Sequence, residues 1–235
     1  MINYIFGLIC LLIASIQDIK KREVENYIWI AMILFGFIYF LILTIKYSDI
    51  YYIKIFFISL IISFILGYLM FLFGAGGADG KAIIGVSALV PNYPLQLKSS
   101  IFQLFFSLNL PIFPILVFIN SIFLITLYPL IIFIKNILIN NVRPKNLKEF
   151  FTMFLAEKIK MSKVKKEKRI ILGKDKIEFI RHGEEALNYE GYEESDIVWA
   201  SPAIPFILII FLSYLITPIV GDSIIYYLLK ILGLR

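Results

Sequence analysis

Apolar residues arrive along this chain in blocks near the ~20 residues that cross a bilayer as a helix. The first run is Ile2–Gln17, followed by the polar stretch Asp18–Asn26. Tyr27–Ile45 and Ile53–Phe73 come next, joined by a short loop carrying Lys46, Asp49 and Lys54. A glycine-dense segment, Gly74–Lys81, precedes a weaker run, Ala82–Leu97, interrupted by Pro91 and Pro94. Ile101–Leu110 reads as an interfacial or re-entrant piece. Pro111–Ile139 is long enough to cross with tilt, with Pro129 placed to kink it. After a polar segment, Ala200–Val220 supplies a last clear span, and Ile224–Leu234 is too short to add another. Ile2–Gln17 lacks a basic n-region and a small-x-small cleavage site, so it reads as a short uncleaved span rather than a signal peptide.

These runs predict an all-α polytopic membrane protein of about six transmembrane helices. With Asp18–Asn26 cytoplasmic, Gly74–Lys81 and the whole of residues 143–198 fall on the same side. Those segments hold three, one and 13 Lys/Arg, the positive-inside bias. If Ala82–Leu97 did not cross, the large basic segment would move outside, against the rule. The expected organisation is a membrane domain over residues 1–142, a cytoplasmic insert over 143–198, and a last span with the C-terminus over 199–235.

The insert has its own pattern. Asn146-x-x-Glu149 resembles a capping box with Asn in place of Ser/Thr. Behind it Leu147, Phe150, Phe151, Phe154 and Leu155 recur at helical spacing. From Lys158 to Arg169 there are seven Lys/Arg and one acid, Glu167. An apolar face running into a basic tract predicts a helix lying on anionic headgroups, with membrane lipid as a partner. Arg169–Leu172 and Lys176–Arg181, flanking Gly173-Lys174-Asp175, predict a β-hairpin. The plainer alternative is a solvated linker domain with no catalytic part.

Composition narrows the class. Of the 235 residues 60% are hydrophobic and 17% charged, and mean hydropathy is +0.87. Soluble proteins run near 45–50% and 25%, so disorder, a secreted disulfide scaffold and an ordinary cytosolic enzyme are excluded. The net charge of +6 is no nucleic-acid signature, because residues 143–198 mix 13 Lys/Arg with 11 Asp/Glu. Cys10 and His182 are the single residues of their types, so one chain builds neither a disulfide nor a Cys/His zinc site. No metal and no cofactor are expected.

Most of the acids lie in the insert, but Asp18 and Asp79 each sit at the cytoplasmic end of a span. Carboxylates facing a bundle interior at that boundary are usually functional. Two that converge cannot both ionise easily, so one keeps a proton. The ionised partner can then take a proton from water while the protonated one polarises a peptide carbonyl. That is aspartyl protease chemistry; ordinary boundary charges are the alternative. The glycines do not make a P-loop, since Ala75 and Ala82 stand where Gly and Ser/Thr are required. Gly76, Gly77 and Gly80 instead predict a loop that uses φ > 0 or the close approach of another backbone.

At these residues the chain resembles the type IV prepilin peptidases, the GxGD-type membrane aspartyl proteases. Asp18-Ile-Lys-Lys-Arg22-Glu-Val24-Glu-Asn26 is similar to their first catalytic motif, and Gly76-Gly77-Ala78-Asp79-Gly80-Lys81 to their second, Gly-x-Gly-Asp-x-Lys. Trp199-Ala-Ser-Pro202-Ala-Ile-Pro205-Phe206 resembles a stretch common before the last span. Departures are Glu25 where bacterial members carry proline, Ala78 where the motif has glycine, and a single cysteine where they carry a Cys-x-x-Cys module. A compact chain of this kind looks most like the archaeal preflagellin (archaellin) peptidase branch.

The resemblance implies Asp18 and Asp79 as the catalytic pair. It implies removal of a short basic leader from preflagellin at the cytoplasmic face of the cell membrane. Lys81 would position or tune the loop, or anchor it electrostatically. Glu23 and Glu25 would contact basic leader residues, or simply be boundary charges. The nearest alternative is a broader prepilin peptidase acting on pilin-like precursors. A different class is a non-catalytic transporter or scaffold, against which stand the few acids within spans and no evident inverted repeat. Presenilin-type proteases share the paired-Asp logic, but their aspartates lie deeper in apolar sequence than Asp18, which sits beside Lys20, Lys21 and Arg22. Oligomeric state has no signature in the chain.

Overall fold

Among the described residues, four stretches are long and apolar enough to cross a bilayer: residues 2–21, 26–47, 51–72 and 113–138. The computed structural model describes residues 1–72, 76–92, 112–167, 169, 171–173, 189, 191–201 and 205–233. In chain order these form α1 (Ile2–Lys21), α2 (Asn26–Tyr47), α3 (Tyr51–Leu72), α4 (Gly77–Leu89), α5 (Phe113–Ile125), α6 (Tyr128–Leu138), α7 (Leu147–Leu155), β1 (Glu157–Lys160), α8 (Met161–Lys166), β2 (Ile171–Gly173), β3 (Ile197–Ala200), α9 (Phe206–Val220) and α10 (Ser223–Ile231). Ile101–Leu110, Lys176–Arg181, His182, Pro202, Gly74–Ala75 and the end of the Ala82–Leu97 run lie outside the described residues. The protein is a mostly helical membrane protein with a small sheet. It divides into two compact units, Met1–Ile125 with Pro205–Arg235, and Thr126–Ile204.

In the first unit, the shortest of the first four helices is the most enclosed. From Ala82 to Leu89 every residue of α4 except Ile84 is buried, against α1, α2, α3, α5 and α9. Its Ala, Gly, Val and Ser residues allow that crowding, because small side chains let helix axes approach in a membrane. The longer helices follow the opposite rule. Along α3 the buried positions are Phe56, Ser59, Ser63, Gly67 and Met70, a stripe at helical spacing. Large residues such as Ile61, Phe64, Ile65 and Tyr68 point outward. Lipid solvates an isoleucine as well as a protein interior does, so packing rather than hydrophobicity chooses the inner face. The core gathers Leu11, Ala14, Met32, Ile83, Val86 and Tyr214.

The second unit is built on β1, β3 and β2, in that order, with β3 antiparallel to both neighbours. Asn146 caps α7 as its motif predicts: its side chain accepts from the Glu149 N–H at 2.7 Å. The answering bond is donated to the Glu149 carboxylate by the Lys145 N–H, one residue earlier than a capping box would place it. The basic tract corrects the expectation of a continuing helix. α7 stops at Leu155, and buried Asn136 donates to the Met153 and Ala156 carbonyls and accepts from the Lys158 N–H. Carbonyls orphaned at the helix end thus find a partner there. Beyond it, burial alternates, with Glu157 and Ile159 inside and Lys160 outside, the period of a strand. The expected hairpin is seen only as β2, which pairs with β3.

Candidate active site

Connection lengths bring both sequence motifs to one end of the first unit. Residues 22–25 suffice to link α1 to α2, so α2 returns antiparallel to α1. α3 comes back in turn, and α4 starts where α3 ends. The C-terminus of α1 and the N-termini of α2 and α4 therefore gather together. One hydrogen bond ties them: Lys81 Nζ donates to Asn26 Oδ1 at 2.9 Å, joining the second motif to the last residue of the first.

Asp18 lies in the last turn of α1 and is partly buried. The helix closes at Arg22, in the left-handed region at φ 60°, whose N–H donates to the Asp18 carbonyl. The backbone N–H of Ile207, in the first turn of α9, faces the Asp18 carboxylate. Helix N-termini favour an anion through their unsatisfied N–H groups. Gln17, just before, accepts from the Glu25 N–H at 3.1 Å and donates to the Tyr27 hydroxyl at 3.2 Å. It fastens the interhelical turn beside Asp18.

Asp79 corrects the loop expectation. Gly77–Lys81 is helical, and Asp79 is the third residue of α4, with its Oδ2 accepting from the Gly76 N–H at 3.0 Å. Carboxylates are common at this position because they satisfy an orphan donor. Gly76, at φ −64°, is extended, and neither Gly77 nor Gly80 has positive φ. Gly80 is required for proximity instead. A Cβ there would meet the Gly67 backbone at 2.9–3.3 Å, and one on Gly67 would meet Gly80 at 3.1–3.3 Å, so α3 and α4 touch backbone to backbone. Nothing crowds Gly77.

The electrostatics set Asp79 apart. It sits ahead of the apolar run that starts at Ala82, and burial pushes its carboxyl up to about 6. The Gly76 N–H draws it partly back, and the Asp18 carboxylate pushes it further up. That effect of Asp18 on Asp79 places the second motif carboxylate in the field of the first. Glu23 and Glu25 are exposed, and neither makes an ion pair among the described residues. No three His, Cys, Asp or Glu side chains converge among the described residues. Sequence reasoning passed over Gln17, Gly67 and Ile207. Gln17 and Gly67 carried weak local signals, a polar residue next to a motif and a glycine in a span. Ile207 carried none, since its contribution is a backbone N–H.

Similarity to known proteins follows the same layout. The model of the type IV leader peptidase family matches residues 5–130. The chain is 43% identical over 236 residues to a preflagellin peptidase of Methanocaldococcus jannaschii, covering 100% of both. It is 45% identical over 231 residues to a preflagellin peptidase of Methanococcus maripaludis, covering 97% of this chain and 99% of the relative. Against one from Methanococcus voltae it is 43% identical over 228 residues, 96% of this chain and 97% of the relative. An uncharacterised protein of Methanocaldococcus jannaschii is 25% identical over 255 residues, covering 92% of this chain and 91% of the relative. With its matched region holding both aspartate motifs, this chain belongs to the type IV leader peptidase family.

Proposed function

We propose that this protein is an aspartic endopeptidase that removes the short basic leader of preflagellin at the cytoplasmic face of the cell membrane, with Asp18 and Asp79 as its catalytic pair. The observation that carries the reading is the meeting of the two motifs: Asp79 raised by burial and by Asp18, in a chain nearly as long as its preflagellin-peptidase relatives. A pair holding one proton does the chemistry. Asp79 retains the proton and donates it in a hydrogen bond to the scissile carbonyl oxygen. Asp18, ionised, takes a proton from the attacking water. The water oxygen bonds to the carbonyl carbon, and the tetrahedral intermediate collapses as the leaving nitrogen gains a proton.

Lys81 is a positioning residue, holding the second motif on Asn26. Glu23 and Glu25, exposed beside the site, offer charge to a basic leader. The reading includes six crossings. The two shorter ones are the apolar run from Ala82 within α4, and α9. The Lys/Arg bias turns the site and the insert to the cytoplasm. A leader rich in charge resists translocation and is met on that side. Prepilin-like precursors present the same leader chemistry and form the second substrate class.

The test is cleavage of a preflagellin in membranes by wild type, Asp18→Asn and Asp79→Asn. Each variant is expected to lose at least ~100-fold in rate, the lower end of what a positioned acid or base contributes, while inserting normally. Near-normal turnover by either inserted variant refutes the pair.

A further inference from the structure

The second unit contains a cavity that the proteolytic reading leaves unused. Its volume is about 500 Å³, and it is lined by Asn140, Asn141, Val142, Arg143, Lys158, Ile159, Lys160, Ser162, Lys163 and Ile197. Four of these are cations and none is an acid. Lys158 is already committed, in an ion pair with Glu149 at 2.8 Å and with its ammonium over the Trp199 ring at 5.2 Å. Arg143, Lys160 and Lys163 are exposed and make no ion pair among the described residues. The neighbouring turn carries Glu193, Glu194 and Asp196. It meets α8 through the carbonyls of Glu194 and Asp196, and none of its carboxylates lines the cavity. Three cations without an ion pair among the described residues, with a hydroxyl and two amides around one concavity, form a receptor for an anion. A basic leader is repelled by such a wall, so the cavity does not belong to the substrate path.

Two further observations place the anion. The wall begins with Asn140, two residues after Leu138 ends an apolar stretch long enough to span the bilayer. At no more than about 3.6 Å per residue, Arg143 stays within about 18 Å of that helix end. This reach includes the headgroup layer, which adds about 5–7 Å to each face of the hydrocarbon core. Within the same unit, α7 leaves Leu147, Phe151 and Leu155 exposed at 77%, 64% and 54%. These residues are four apart and form one apolar stripe, which water does not favour and a bilayer interface does.

We infer that the Arg143–Lys160–Lys163 cavity is a phosphate-binding site that holds the headgroup of an anionic phospholipid, docking the insert on the membrane surface. The chemistry recognised is a phosphate anion. The lipid is its favoured source, because the apolar stripe and the span end accompany the site; a soluble phosphate is the other source.

The experiment uses the full-length protein in a neutral detergent, titrated separately with a short-chain anionic phospholipid, its zwitterionic counterpart and inorganic pyrophosphate, with binding read by native mass spectrometry. Lys160→Gln/Lys163→Gln and Arg143→Gln are compared with a control, Lys20→Gln/Lys21→Gln, which removes equal charge from the first unit. The double variant is expected to bind the anionic lipid about 10–30-fold more weakly, from about fivefold per lysine near a charged surface. Arg143→Gln should lose about fivefold, with zwitterionic binding unchanged and the control within twofold of wild type. Lipid binding lost with the cavity lysines identifies the headgroup as the source. Pyrophosphate binding lost in the same way, without a lipid preference, keeps the phosphate site and assigns it to a soluble ligand. If neither ligand distinguishes the cavity variants from wild type, or if the Lys20/Lys21 control loses as much, the site is refuted. Circular dichroism of each variant verifies that these exposed substitutions leave the helices intact.

Discussion

Two carboxylates of this protein, one in each unit, are removed from water in opposite ways. Glu157, on β1, is 1% exposed and holds Lys135 through one oxygen and Arg169 through the other, each at 2.8 Å. Arg169 is in turn paired with Glu167. Burial pushes the Glu157 carboxyl up, but the hydrogen bonds and charges of Lys135 and Arg169 outweigh it and leave it below the ordinary range. Asp79 has no cation on its carboxylate among the described residues. It has one backbone N–H and a second carboxylate, and it is raised to about 6. The first arrangement fixes a charge permanently and serves the packing of the small sheet. The second keeps a proton available near neutral pH, which is what acid–base chemistry needs. Lys81, close in sequence, is turned to Asn26 rather than to Asp79. A direct Lys81–Asp79 pair would hold the aspartate ionised and remove the difference.

Removing each charge gives the largest contrast. Glu157→Gln leaves the Arg169 guanidinium, 6% exposed, without its buried partner. Breaking such a pair costs about 3–5 kcal/mol, so the second unit should melt earlier, read by hydrogen exchange in β1 and β3. Asp79→Asn should do the reverse, gaining about 1–2 kcal/mol at neutral pH. The shift from 3.8 to about 6 corresponds to about 3 kcal/mol at most, reduced here for partial exposure. A destabilised Asp79→Asn protein would put the aspartate in the structural class with Glu157.

The same contrast appears in pH. A carboxyl raised on folding binds its proton more tightly in the native state. The Asp79 contribution therefore favours folding below about pH 4 and is lost as pH rises through about 6. The thermal gain of Asp79→Asn over wild type is thus expected at pH 7 and absent at pH 4. Glu157 is lowered, so its contribution is present above the usual glutamate range and lost as pH falls through its folded value. The deficit of Glu157→Gln should shrink on acidification. Paired melting curves from pH 3 to 8 check both signs, and parallel curves would erase the distinction.

The smallest effect sharpens the assignment of Lys81. Its bond to Asn26 is exposed, worth about 1 kcal/mol. Lys81→Gln and Asn26→Ala should each slow leader cleavage several-fold, and the double variant should be little slower than either. Additive losses would show that Lys81 acts on something other than Asn26.

Much of this was written locally. Span lengths follow from uninterrupted apolar runs, because a helix in lipid must satisfy its own backbone and reach across the hydrocarbon. Asp18 and Asp79 were legible as charges at span ends within short motifs, and Asn146 as a cap, because capping involves only neighbours in sequence. Three features needed the tertiary structure. The inner faces of α2 and α3 were hidden because apolar residues encircle both helices; the close approaches of Gly36 to Ala88 and of Gly67 to Gly80 select them through shape. The start of the basic tract, to Lys160, became a strand because Asn136, more than 20 residues away, captures its first N–H, and β3 supplies its pairing partner. The character of Asp79 depends on Asp18, 61 positions earlier, and on the helices that enclose it. Local sequence sets what a residue can do; its ionisation is set by the field of groups that only the folded chain assembles.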